Sequence, residues 1–153
     1  MSKPATPFLT AGWRKLIMVN YPVDPAILES FLPSYTELDY FDNKCYISLV
    51  GFLFENVKIK GISIPFHTHF PEVNLRFYVK YRHQQGWKRG VVFISEIVPK
   101  PMIAWVANTL YKERYSAVSM KHQAELKNDQ WLVQYQWKCQ GQWFQIQVEA
   151  DNK

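Results

Sequence analysis

At 153 residues, 48% hydrophobic and 16% aromatic, the chain is long enough to bury a core within a single domain spanning residues 1–153, and too apolar to be disordered. Its net charge of +5 comes from 18 Lys and Arg residues spread along the chain and never gathered in a run, which argues against nucleic acid as a partner. Cys45 and Cys139 share no CxxC spacing, so neither a disulfide framework nor structural zinc is expected, and a reducing, cytoplasmic setting fits best.

The first ten residues, with Pro4 and Pro7, form a loose arm without an apolar leader and run into a strand over residues 13–19. In DPAILESFLP, Asp24 suits a helix N-cap and Pro25 the first helical position. Ile27, Leu28, Phe31 and Leu32 make one apolar face, and Pro33 stops the helix after about two turns. Residues 38–40, a turn at Asp42, Asn43 and Lys44, and a strand over 45–54 predict a hairpin. VKIKGISI, residues 57–64, alternates as a further strand with Lys58 and Lys60 on a solvated side.

Residues 70–98 read as two longer strands joined by a polar turn between Arg82 and Trp87. After Pro99 and Pro101, helical spacing of Met102, Ile103, Val106 and Leu110 predicts a helix from about residue 102. Trp105 and Ala107 make it apolar nearly all round, as burial against a sheet or docking to a partner would require. Its apolar run, residues 102–107, is far too short to span a bilayer, so a soluble protein with no membrane partner is expected. The remainder predicts a three-stranded meander with turns near Asn128 and at Gly141. Its core face carries Val118, Met120, His122, Ala124 and Leu126, then Trp131, Val133, Tyr135 and Trp137, then Phe144, Ile146 and Val148.

Candidate chemistry concentrates in the 70–98 pair. Strand alternation projects Glu72, Asn74 and Arg76 to one side and Val73, Leu75, Phe77 and Val79 to the other, so an acid, an amide and a guanidinium converge. On a lone hairpin such a face is simply the wet one; a ligand site requires it to be covered. If the two strands pair residues whose numbers sum to an even value, Glu96 joins that face; odd pairing separates it. Carboxylates so placed raise one another's pKa while Arg76 lowers it, which suits acid and base work or the holding of a polar ligand.

His67 and His69 put two imidazoles on one side of an extended segment, as a metal site needs. However, only two residues separate His69 from Glu72, Pro71 interrupts, and no second motif follows, so no metal is expected. His122, on an apolar strand face, is a secondary candidate beside its plainer reading as a core histidine. GxSxG, P-loop and GxGxxG patterns are all absent, so no nucleotide or other cofactor is indicated.

Four segments in this order, NYPVDPAILESFLP, LDYFDNKCYISLVGFLFENV, IPFHTHFPEVNLRFYV and RGVVFISEIVPKPMIAWVANTLYKERY, resemble the uncharacterised YqjF-like family known as domain of unknown function 2071, which is similar in fold to acetoacetate decarboxylase. The resemblance covers nearly the whole chain. It implies an α+β, mostly β fold in which antiparallel strands curl into a barrel or cone around a cavity, with a few helices outside. It also implies a chain shorter than is typical of the family, lacking strands that complete the barrel.

In acetoacetate decarboxylases a lysine, its pKa depressed by a second lysine, forms a Schiff base, and a glutamate on an earlier strand assists. Glu72 matches that glutamate. The lysine pair falls on Tyr115 and Ser116, and Lys112 lies three residues early, before Glu113, so the resemblance implies the fold without that chemistry. The resulting expectation is a protein that binds a small carboxylate or carbonyl compound in a pocket lined by Glu72, Asn74, Arg76, Glu96, Tyr115 and His122. The alternative is a lyase or isomerase acting on a keto or enol acid through Glu72 and Arg76. An open sheet edge would also permit a homo-oligomer.

Overall fold

The computed structural model describes residues 9–63, 65, 67–111 and 114–152. Its elements in order are β1 (Leu9–Val23), α1 (Pro25–Glu29), β2 (Glu37–Leu38), β3 (Cys45–Ile59), β4 (Ile62–Ser63), β5 (Phe70–His83), β6 (Gly86–Val98), α2 (Pro101–Tyr111), β7 (Tyr115–Ala117), β8 (Met120–Lys127), β9 (Gln130–Cys139) and β10 (Gln142–Asp151). The larger sheet runs β1-β3-β5-β6-β7, with β2 paired to β5 and β4 to β3. The second sheet is the meander β10-β9-β8. Pairing is antiparallel except between β6 and β7. Among the described residues nothing pairs β7 back to β1, so the larger sheet is open.

Period-two alternation gives that sheet two different faces. On one, Ile17 and Val73 pack against Val133, Tyr135 and Ile146 of the meander. Gly51 permits this approach: a Cβ there would stand 2.6 Å from Tyr135 Cδ2 and 2.9 Å from Ile146 Cδ1. The Tyr135 hydroxyl donates to the Lys15 carbonyl at 2.7 Å. Lys15 has a positive φ of 52°, inside an irregular stretch of β1. Its ammonium lies 3.0 Å from the Trp131 ring centre, so one distorted residue ties the two sheets together twice.

Further along the same face, Leu28 of α1 and Leu38 of β2 cover Cys45, Phe77 and Val79. Asp24 caps α1 by accepting from Ala26 N at 3.0 Å. The helix is shorter than the two turns its apolar spacing predicts: it ends at Glu29, and Phe31 N and Leu32 N then bond only three residues back. The expected 38–54 hairpin reduces to a bridge between Phe41 and Lys44 around Asp42 and Asn43, both at positive φ. Leu38 pairs with Val79 of β5 instead, because its side chain joins the buried cluster there. The strand expected over 57–64 is the end of β3 followed by the short β4.

Helix α2 packs on the opposite face, where Ala104 and Ile103 meet Val57, Phe70 and Val98. It is not buried all round: Trp105 is 67% exposed, since α2 lies on the sheet's outer margin with one side toward solvent. The meander forms with turns at Asn128–Asp129 and Gln140–Gly141 whose central residues all take positive φ, as two-residue hairpins favour. However, Val118 precedes its first strand, and Leu126, Phe144 and Val148 of the expected core face are exposed, since only the middle of the meander meets the larger sheet. No described helix is long and apolar enough to cross a membrane.

Candidate functional site

The face of β5 turned away from the meander carries Glu72, Asn74 and Arg76, paired in β3 with Phe52, Val50 and Ser48. Glu72 is 2% exposed and Asn74 3%, while Arg76 is half-buried, so this is not the wet side of a hairpin. Val50, Phe52 and Ser48 form a buried floor beside them, and Trp13 and Met18 of β1 form a half-exposed rim. Trp13 stacks on Phe52 at 4.6 Å between ring centres. Phe54 and Phe70 extend the aromatic wall toward α2.

The register of β5 and β6 has two values. Asn74 faces Glu96, an even pairing, so Glu96, 3% exposed, lies on the Glu72 face. Between Leu75 and Arg76 the register shifts, and Arg76 faces Phe93. The extra residue, Ile94, goes with Val92 into the apolar cluster behind. This bulge sets an aromatic beside Arg76 and a carboxylate beside Asn74 on one face.

Tyr115 closes the group. Its hydroxyl donates to Glu72 Oε2 at 2.8 Å, while Asn74 Nδ2 donates to Glu72 Oε1 at 3.0 Å. Each carboxylate oxygen thus accepts a hydrogen bond in a place water hardly reaches, which offsets part of the cost of burying the acid. Tyr115 is held by Asn108 of α2, whose Nδ2 donates to Tyr115 O and whose Oδ1 accepts from Tyr115 N, both at 2.8 Å. The amide side chain acts as an extra strand partner. In addition, Glu96 N donates to Arg114 O, and β7 runs parallel to β6 with Tyr115 beside Glu96.

Beyond Arg76 the same face continues through a hydrogen-bonded trio that sequence reasoning missed. Ser48 Oγ, wholly buried, donates to Asn20 Oδ1 and lies 2.7 Å from the Tyr78 hydroxyl. The signal was available in part, since Tyr78 holds the alternate position next to Arg76 on β5, whereas Ser48 comes opposite Arg76 only through the pairing with β3. Asn108 left none, because its partner is a backbone seven residues on. Asn20 and Tyr78 open onto a cleft of about 390 Å³, also lined by Tyr40, Phe41 and Tyr46. At its edge Arg89 Nε lies 3.0 Å from Asp39 Oδ2.

The structure does not bring His122 to this group. It lies on β8 opposite Tyr135, in the sheet that packs on the other face of β5, and its side chain is exposed where a core position was expected. Partial burial holds its pKa below the usual histidine value. His67 Nδ1 lies 2.9 Å from Pro65 O and His69 Nδ1 2.9 Å from Thr68 Oγ1, so both rings make local contacts in the loop before β5. Among the described residues no three His, Cys, Asp or Glu side chains gather as a metal site. Lys112 and Glu113 lie outside the described residues, as does most of the N-terminal arm.

The family described as an uncharacterized conserved protein, domain of unknown function 2071, matches residues 10–153. YqjF of Bacillus subtilis (strain 168), itself described as uncharacterized, is 32% identical over 110 residues, which are 71% of this chain and 44% of that protein. The crystal structure of acetoacetate decarboxylase from Legionella pneumophila superposes with a TM-score of 0.61 at 15% identity, over 94% of this chain and 52% of that one. The chain therefore spans about half the length of these relatives, and the decarboxylase likeness is one of fold. The chain belongs to the domain of unknown function 2071 family, on a mostly β, acetoacetate decarboxylase-like fold.

Proposed function

We propose that the protein binds a small carboxylate- or carbonyl-containing molecule on the polar face of β5, with Arg76 holding the ligand's oxygens and Glu72 serving as hydrogen-bond acceptor or general base. The state of Arg76 carries this reading. Among the described residues no carboxylate pairs with its guanidinium, and its Nε is buried without a hydrogen-bond partner. Asn74 Oδ1 beside it is buried and unpartnered in the same way. A half-buried cation lacking a counter-ion is costly, and the planar donor fork of Arg matches a carboxylate with two parallel hydrogen bonds.

The test is unbiased identification of small molecules by mass spectrometry on the purified protein, coupled to thermal shift with the compounds found. A bound acid or ketone that raises the Tm of the wild type, and raises it less in Glu72→Gln, is the expected result. Absence of any bound compound, together with no Tm change across a panel of carboxylic and keto acids, would refute the proposal.

A further inference from the structure

We infer that the ligand is an aryl-substituted carboxylic acid, its ring in the tyrosine-lined cleft and its carboxylate on Arg76; this rests on the carboxylate reading of Arg76 and extends it to the rest of the molecule. Charge is distributed unevenly along the face. At the cleft, Arg89 is already matched by Asp39 at 3.0 Å, so that end offers no unpaired charge, whereas Arg76 has no carboxylate partner among the described residues. An occupant of both places is neutral at one end and anionic at the other.

The walls define the neutral end. Tyr40, Phe41, Tyr46 and Tyr78 contribute four rings around a space of about 390 Å³, within the size range of small-molecule sites. Aromatic walls favour a flat ring, which meets them by offset stacking or edge-to-face contact. Spacing then fixes the link between the ends. Tyr78 is two residues from Arg76 on the same strand face, a rise of about 7 Å. That separation suits a ring joined to a carboxylate through two or three carbons, as in a 3-arylpropanoate. Ser48, opposite Arg76 in β3, lies 2.7 Å from the hydroxyl of Tyr78, which lines the cleft, so Tyr78 borders both the cleft and the stretch of the face beside Arg76.

The experiment is calorimetric titration of the full chain with 3-phenylpropanoate, pentanoate and 3-phenylpropan-1-ol, on the wild type and on Arg76→Gln, Tyr46→Ala and Tyr40→Ala. Tyr40 is 47% exposed, so the last variant tests the cleft without touching the core. The aryl acid should bind about tenfold tighter than pentanoate. Either tyrosine variant should lower that preference several-fold while leaving pentanoate unchanged, and Arg76→Gln should weaken both acids but not the alcohol. Equal affinity for the two acids, both lost in Arg76→Gln, would overturn the aryl inference and leave the carboxylate reading standing. An aryl preference untouched by both tyrosine variants would overturn the inference too. Acid binding indifferent to Arg76→Gln, or no saturable binding of any probe, would overturn the inference and the carboxylate reading together.

Discussion

Gly51→Ala should cost the protein more stability than any surface substitution, because it removes the space through which the meander reaches the larger sheet. The added methyl would stand 2.6 Å from Tyr135 Cδ2, against the 3.4 Å at which ordinary contact begins, a deficit of about 0.8 Å. It would also lie 2.9 Å from Ile146 Cδ1 and 3.0 Å from Tyr135 Cγ, so no single rotamer change relieves it. Tyr135 is 1% exposed and tethered through its hydroxyl to Lys15 O, and a ring displacement of that size strains or breaks the tether. Overpacking costs about 1–3 kcal/mol, and a lost buried hydrogen bond about 1 kcal/mol more, giving roughly 2–4 kcal/mol. Urea unfolding followed by tryptophan fluorescence measures this directly as a fall in midpoint at constant m-value. Gly12→Ala is the control, since a methyl there meets Glu55 O at 3.6 Å, an ordinary contact. A Gly51→Ala loss below about 0.5 kcal/mol, or one no larger than the control's, would refute the packing argument.

Burial pushes the Tyr135 hydroxyl's pKa above its ordinary value of 10.0. The folded state therefore keeps a proton that the unfolded chain releases, so stability is whole below pH 10.0 and falls as pH rises beyond it. Urea midpoints across that range should decline more steeply in the wild type than in Tyr135→Phe; parallel declines would contradict the assignment. Glu72→Leu leaves the Tyr115 hydroxyl and Asn74 Nδ2 without their acceptor and should lose about 2–4 kcal/mol, with Glu72→Gln losing less. A Glu72→Leu protein as stable as wild type would mean those bonds contribute nothing. Asn108→Ala should free Tyr115 and narrow the difference between the Glu72 variants, seen as non-additivity in a double-mutant cycle; strict additivity would deny the clamp a positioning role. Borohydride reduction with a β-keto acid should leave no lysine adduct by mass spectrometry, and an adduct would return Schiff-base chemistry to consideration.

Alternation is a local property, and it was legible: the side on which Glu72, Asn74 and Arg76 project, and the apolar stripes of the meander, follow from period two alone. What alternation cannot carry is a change of register. Ile94 lies in a strand-forming stretch, VVFISEIV, with no glycine or proline to mark a bulge, so a single parity for the hairpin was the natural expectation. The bulge forms because Ile94 and Val92 can both enter the cluster around Phe77 and Val79, a gain visible only once β2 and α1 are in place. The pairing of β2 with β5 has the same origin, in a buried Leu38. His122 was misplaced for a related reason: its strand was assigned correctly, but which face of β5 the meander covers is decided by Gly51 and Lys15, both far away in sequence.

Position 115 carries a phenol at the edge of the polar face. A phenol has no amine with which to form an imine, but it can donate a hydrogen bond while remaining neutral, and here it donates to the buried Glu72. Asn108 fixes the Tyr115 backbone through both amide atoms, so the direction of that donation is set by α2 rather than by the short strand carrying the residue. Glu72 is thus oriented from two sides, by Asn74 along its own strand and by Tyr115 across the sheet edge, and neither contact uses Arg76. Among the described residues Arg76 Nε is buried without a hydrogen-bond partner. In the proposed site the acid is thus held in place by the protein, and it is Arg76 that the ligand would engage.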